Sequence, residues 1–248
     1  MKLHWKQGVY KSSMKNQVIH LNIDEADLFA SDYFINICGF HREGEKYKRL
    51  LAHGMQIKGR IIDKIDLQAV VSSFDRDIIS GNTAQIGEVA FVCNAFQQIN
   101  RDSIQKVYLY IFTSGDFELN DDDSIIDQLY ADIWGTAYTD AGLEVLKNYL
   151  MDDFNKNNSK SEATVMDPFG PGFYGMDVDQ VGKFFEVLDG GKIGVKARTN
   201  SLMVPLKSCA GFFVVVDDGT ALPAADCKSC HADHKGCEYC QAVIKRNK

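Results

Sequence analysis

Residues 106–115, Lys-Val-Tyr-Leu-Tyr-Ile-Phe-Thr-Ser-Gly, narrow the choice of fold more than any other segment. β-Branched and aromatic side chains follow one another there without polar alternation, the pattern of a strand covered on both faces. Such a strand needs a layer on each side, so the chain is expected to build a sheet centred near it. The acidic run Asn120–Asp123 then caps a second strong element. Ile126, Leu129, Tyr130, Ile133, Trp134, Ala137, Tyr138, Ala141, Val145, Tyr149 and Leu150 recur at helical spacing and mark one face of a long helix. Gly135 and Gly142, seven apart within it, are consistent with a close crossing by another element.

Weaker elements surround this pair. Residues 17–23 alternate like a strand, and Asp24 opens a short helical stretch through Phe34 that turns at Cys38-Gly39. From Glu45 the apolar spacing predicts a helix of about four turns. Leu67–Phe74 and Ile86–Val92, separated by the turn-like Ser80-Gly81-Asn82, read as a pair of strands. After a polar connector at 155–162, Asp167-Pro-Phe-Gly-Pro-Gly-Phe-Tyr-Gly175 is a rigid turn. Asp177 caps a helix through Leu188 that Asp189-Gly-Gly191 stops, and Ile193–Ala197 and Phe212–Val216 read as strands. The expected organisation is a first section over 1–105, a core over 106–218 and a cysteine-rich tail over 219–248.

That tail holds four of the seven cysteines as two Cys-x-x-Cys pairs, Cys227/Cys230 and Cys237/Cys240. Each pair aims two thiolates at one point, and together they suit a tetrahedral zinc or a single iron–sulfur cluster, between which the spacing does not choose. His231 and His234 lie nearby. A pair of disulfides and a reduced, metal-free tail are the competing readings. Cys38, Cys93 and Cys209 sit in apolar surroundings typical of reduced thiols, which weighs against disulfides.

The net charge of -7 argues against a nucleic-acid binder that works by neutralising phosphates. No run approaches the length of a membrane span and the first residues lack a signal-peptide pattern, so a cytoplasmic protein is expected. Walker, Gly-x-Ser-x-Gly, His-Glu-x-x-His and three-cysteine radical motifs are absent. The triple aspartate at 121–123 is read as a helix cap, His20, His41 and His53 as isolated, and the tyrosines of the central strand and long helix as core.

The segment from about Val107 to Val216 resembles the activation, or reactivation, domain of cobalamin-dependent methionine synthase and its stand-alone relatives in anaerobic bacteria. The resemblance rests on the strand ending in Thr113-Ser-Gly115 before the long helix, and on the Pro-Gly-aromatic turn Pro171-Gly172-Phe173. It extends through the helix ending Phe184-Phe-Glu-Val-Leu188, and through Ile193-Gly-Val-Lys196 and Met203-Val-Pro205 with Lys207-Ser208 and Gly211. It implies an α+β fold, a twisted and mainly antiparallel sheet with flanking helices. It also implies an accessory protein that docks on a corrinoid-binding protein or methionine synthase. The pair would recover inactive cob(II)alamin by one-electron reduction and methyl transfer from S-adenosylmethionine, in the service of methionine biosynthesis.

By the same resemblance, Gly170, Pro171, Gly172 and Phe173 would offer backbone groups and an aromatic wall to the methyl donor, and Glu144 would receive its hydroxyls or amines. One departure stands out. The family's arginine before the turn is replaced by Pro168, which removes a bidentate guanidinium that Arg198 or Lys196 would have to replace. Two other functions compete: an iron–sulfur protein delivering the electron to a corrinoid methyltransferase, and a non-catalytic corrinoid-protein binding module whose tail is stapled by zinc.

Overall fold

The computed structural model describes residues 14–40, 43–117, 119, 122–158, 162–221 and 223. The four tail cysteines lie outside these residues.

The chain enters through strand β1 (Gln17–His20) and helix α1 (Ile23–Cys38), whose N-terminus is capped by the Asn22 side chain accepting from the Asp24 amide at 2.9 Å. Asn22, just ahead of the expected Asp24, is therefore the cap, and Asp24 sits in the first turn where its charge suits the helix dipole. Gly39, at φ 64°, ends the helix in the left-handed conformation. Helix α2 (Glu45–Ile61) follows, then β2 (Gln68–Phe74), the short strands β3 (Ile79–Ser80), β4 (Thr83–Ile86) and β5 (Val89–Val92), and helix α3 (Asn94–Gln98). Strand β6 (Ile104–Thr113) and helix α4 (Ile125–Asn157) are the two long central elements. The remainder is β7 (Ala163–Val165), α5 (Val181–Val187), β8 (Lys196–Ala197), β9 (Met203–Val204) and β10 (Ser208–Asp217).

Five strands form one antiparallel sheet in the order β1-β2-β6-β10-β7, with β6 in the middle as its unbroken apolar sequence requires. Strands from both the first hundred residues and the later part complete this one sheet. Side chains alternate cleanly across it. Tyr108, Tyr110, Phe112, Phe213 and Val215 face the helices α1, α2 and α4. Val107, Leu109, Ile111, Phe212, Val214 and Val216 face a second core made with the small sheet β3-β4-β5, α3 and α5. The fold is thus α+β, as the resemblance implied, with a layer on each face of the central strand.

Leu67–Phe74 and Ile86–Val92 both contain strands as expected, and their pairing, which the sequence leaves open, is with other partners rather than with each other. The turn at Ser80-Gly81-Asn82 joins the residues beside it, so Ile79 pairs with Ala84 and β4 with β5, while β2 is buried on both faces and joins β6 in the large sheet. The cap of α4 also differs: Ser124 accepts from the Asp127 amide at 3.1 Å, and Asp123 instead receives Arg60 of α2 at 2.6 Å. The predicted face of α4 packs inward from Tyr130 onward apart from Tyr149, which is exposed, and Ile126 and Leu129 are exposed because the first turns of the helix run beyond the core. The helix also continues seven residues past Leu150, shortening the polar connector.

A single carboxylate knots the three helices together. Asp27 of α1 accepts from the Tyr138 hydroxyl of α4 at 2.5 Å and pairs with Lys58 of α2 at 2.5 Å. Burial and Asp27 together push the Tyr138 phenol up, so it stays a donor. Beside this knot, Phe34 and Trp134 stack at a centroid distance of 4.0 Å, and the indole N–H donates to the Gly54 carbonyl at 2.8 Å. On the opposite face Gln180 completes the edge of β5, accepting from the Val92 amide at 2.8 Å and donating to its carbonyl at 2.9 Å. The close crossings expected at Gly135 and Gly142 are present: the rings of Phe117 and Phe112 occupy the space that side chains there would need.

Two glycines of α2 give a paired test. A Cβ on Gly54 would fall 2.5 Å from the Phe34 ring, whereas one on Gly59 would meet nothing within 4 Å. Gly54→Ala should therefore lose about 1–3 kcal/mol in urea unfolding through overpacking, while Gly59→Ala should be neutral or gain up to about 1 kcal/mol from helix propensity.

Candidate functional site

β10 is paired with β6 from Ser208 to Val216, but on its other side only Val215–Asp217 meet β7, followed by the single bridge between Phe212 and Phe169. Ser208–Gly211 therefore leave one strand edge without a strand partner among the described residues. The turn 167–175 runs along this edge. A Cβ on Gly170 would lie 2.2 Å from the Ala210 carbonyl oxygen, and one on Gly211 would lie 2.5 Å from the Phe169 carbonyl oxygen, so two glycines let the two backbones touch.

The turn closes on itself through Phe173 N–H to Gly170 O at 3.0 Å, Gly172 N–H to Met176 O at 2.8 Å and Met176 N–H to Phe173 O at 2.9 Å. It is anchored to the start of α3 by the Asn94 backbone amide, which donates to Tyr174 O at 2.9 Å. Gly172 takes φ 92°, a backbone conformation in which a side chain is strained. Gly170 is buried, Pro171 half-buried, and Gly172 and Phe173 are exposed, the phenylalanine at 64%. Gly170 is thus a packing residue, and Phe173 is the member of the motif whose side chain is open to a ligand.

Above the same edge runs a polar stripe on α4: Asp132, Thr136, Asp140, Glu144 and Lys147, at helical spacing. Its contacts follow the edge in order. Lys207, just before β10, pairs with Asp132 at 2.7 Å and donates to Thr136 Oγ1 at 2.9 Å. Asp140 acts on Cys209 and Tyr110. Lys147 pairs with Asp167, at the start of the turn, at 2.6 Å. Glu144, half-buried, lies one turn before Lys147, so the helix carries it toward the segment that leads into Gly170. Lys196 and Arg198 lie apart from this stripe on the β8–β9 hairpin, and both are exposed.

At the far end of the stripe the strand ends are bound by hydroxyls. Ser208 Oγ donates to Thr113 Oγ1 at 2.9 Å, Ser114 Oγ and Thr139 Oγ1 are 3.0 Å apart, and the Ser114 amide donates to Lys207 O at 3.0 Å. Next to this network opens a cleft of about 320 Å³ between the β6–α4 loop and the loop entering β10. Phe117 and Ala131 are apolar walls, and Asp116, Gln128, Asp132 and Lys207 supply polar groups.

The sequence places Cys209 and Tyr110 as plain core residues and Lys207 only within the resembling segment, and it gives no signal for Asp140 or Asp132 by themselves. Taken together the signal is polar residues four apart on an otherwise apolar helix, but its meaning depends on an open strand edge that no local pattern announces. Burial pushes the Cys209 thiol up to about 12, with Asp140 adding to the shift and a hydrogen bond from Tyr110 opposing it. The Tyr110 phenol is itself held well above its ordinary range, chiefly by burial. Among the described residues no group of three or more His, Cys, Asp or Glu side chains could hold a metal, and no helix is long and apolar enough to cross a membrane.

A direct consequence is a thiol inert at neutral pH. In the native chain Cys209 should alkylate with iodoacetamide at pH 8 far more slowly than after unfolding, and Asp140→Asn should speed native labelling several-fold, as read by peptide mass spectrometry. The folded value lies above the ordinary 9.0, so this thiol's contribution to stability is complete below pH 9.0 and is lost as pH rises towards about 12.

No family model and no curated protein matches the chain. Among solved structures it is similar to the crystal structure of the MetH reactivation domain bound to AdoHcy, with a TM-score of 0.52 and 12% sequence identity, covering 86% of this chain and 82% of that one. The chain therefore has the fold of the MetH reactivation domain, over most of the length of both.

Proposed function

We propose that this chain is an activation partner of a corrinoid protein. In this reading it holds S-adenosylmethionine along the open edge of β10 and presents the methyl group to the partner's cobalt for reductive methylation. The observation that carries it is the fold shared over 86% of the chain with a domain bound to AdoHcy. That fold here has an open edge where two glycines bring backbones together beneath a polar helix stripe. Peptide groups at such an edge suit the hydrogen-bonding rim of an adenosine, Phe173 offers a face to its ring, and Glu144 or Asp140 offers a carboxylate to an amino group. When the methyl leaves, the electron pair of the broken C–S bond stays with sulfur, so the protein's task is orientation and exclusion of water rather than proton transfer. The partner, a methionine synthase or related corrinoid protein, supplies the cobalt.

Calorimetric titration with S-adenosylhomocysteine tests the site. The native chain should bind it, and Phe173→Ala and Glu144→Gln should each weaken binding about fivefold to tenfold or more, with melting temperatures close to native. No binding by the native chain, or native affinity in both variants, would overturn the site. Gly172→Val is a poorer probe than the motif alone suggests, because the positive φ adds strain whatever the ligand does.

The sequence of the tail supports a second element of the proposal, a metal held by Cys227, Cys230, Cys237 and Cys240. Anaerobic purification followed by an absorption spectrum and metal analysis separates its forms. A brown protein containing iron that is lost in Cys227→Ser or Cys237→Ser makes the chain an electron donor as well as a docking partner. One colourless zinc makes the tail a structural staple, and a metal-free protein removes this element.

A further inference from the structure

We propose that the outer face of α1 is the docking site of the chain's own first residues, which return past β1 and lay Leu3 and Trp5 against Leu28 and Phe29, with Lys2 and Lys6 beside the surrounding carboxylates. This stands independently of the reading of the methyl-donor edge.

Helix α1 has one face that the fold does not use. Ala26, Ala30 and Phe34 enter the core, and Asp27 turns to Lys58 and Tyr138. On the other side Asp24, Glu25, Leu28, Phe29 and Asp32 follow one another at helical spacing, and all are exposed. Leu28 is 76% exposed and Phe29 37%, on a helix whose other apolar side chains are buried or half-buried. Asp24, Glu25 and Asp32 have no ion-pair partner among the described residues, and α1 itself carries no lysine or arginine. An apolar pair ringed by carboxylates without counter-charges suits an apolar or aromatic group flanked by cations.

The sequence supplies such a segment. Residues 1–23 hold Lys2, Lys6, Lys11 and Lys15 and no acidic residue, and Leu3 and Trp5 lie between the first two lysines. The two signs of charge are therefore sorted between the first residues and the helix that follows them.

Reach agrees. Residue 14 is fixed at the end of β1 remote from α1, where the Met14 amide donates to Ser73 Oγ at 3.0 Å and the Ser73 amide donates to Met14 O at 3.1 Å. His20, opposite Gln68, ends the strand on the side that leads into α1. Because β1 is at the edge of its sheet, the path alongside it is taken by no other strand among the described residues. The extended chain from Met14 to Asn22 spans about 26 Å. Residues 6–13 cover that distance in return, which leaves Met1–Trp5 level with the first turns of α1. The other basic stretch, Lys245-Arg-Asn-Lys248, follows β10, whose last residues pair with β7 at the opposite edge of the sheet.

The test digests the full chain with trypsin, and couples lysines to carboxylates with a carbodiimide in an equal mixture of nitrogen-15-labelled and unlabelled chains, both read by mass spectrometry. Cleavage after Lys2 and Lys6 should be about tenfold slower, or more, than in a synthetic peptide of residues 1–13, since cleavage tracks the undocked population. Leu28→Ser and Glu25→Lys, both at exposed positions, should each recover most of that rate with melting temperatures close to native, and high salt should act in the same direction. Coupling should join Lys2 or Lys6 to Asp24, Glu25 or Asp32 within one isotopic species. Peptide-like cleavage of the native chain, native rates in both variants, or absence of these cross-links would overturn the inference. Cross-links between the two isotopic species would overturn it as well and give the face to a second copy.

Discussion

The antiparallel pairing of β6 with β10, running from Ser208 opposite Thr113 to Val216 opposite Ile104, is the contact on which everything else is built. Both strands are apolar on both sides, and each fully buried aromatic they contribute is worth about 1.5–3 kcal/mol against leaving it in water. That two-sided demand draws α4 with its two companion helices to one face and the small sheet with α5 to the other. It also fixes where function can lie. Once β6 is central and β10 second from the edge, the first third of β10, beyond the reach of the short β7, is left without a strand partner beside α4 among the described residues.

That edge concentrates the groups that the core refuses. The apolar face of α4 turns toward the sheet from Tyr130 onward, and the side chains from Asp132 to Lys147 that cannot follow it line the boundary instead. Lys207 and Asp167 tie the two ends of this boundary to the helix through ion pairs whose carboxylates are exposed. Between them Cys209 and Tyr110, both held protonated, lie within the field of Asp140 and form a weakly reactive pair. A sulfonium donor nearby would find no competing thiolate there at neutral pH.

Much of the fold was legible because it rests on patterns with a period. The buried run at 106–113, the helical face from Tyr130 to Leu150 and the rigid turn at 167–175 each follow from their own residues. What was not legible depended on partners distant in sequence. Ile126 and Leu129 continue the helical period of α4 and are nonetheless exposed, since periodicity does not say where the core stops. The strands at Leu67–Phe74 and Ile86–Val92 have similar composition but belong to different sheets, because a short hairpin captured the second. At the site, the Gly170, Pro171, Gly172 and Phe173 motif was visible, but its division of labour was not: Gly170 is fixed by the Ala210 carbonyl, and Phe173 is left free.

The contact of Gly170 and Gly211 has a further effect. An open stretch of β-strand is a template onto which another chain can add, and here the turn lies flat on the Ala210–Gly211 peptide, close enough that no foreign strand can enter. Guarding the edge against self-association and shaping it for the proposed ligand would therefore be the same geometric act. A side chain at either glycine would lift the guard and open the same stretch of strand to a neighbouring copy, so oligomerisation and loss of the proposed recognition should be linked failures in this fold.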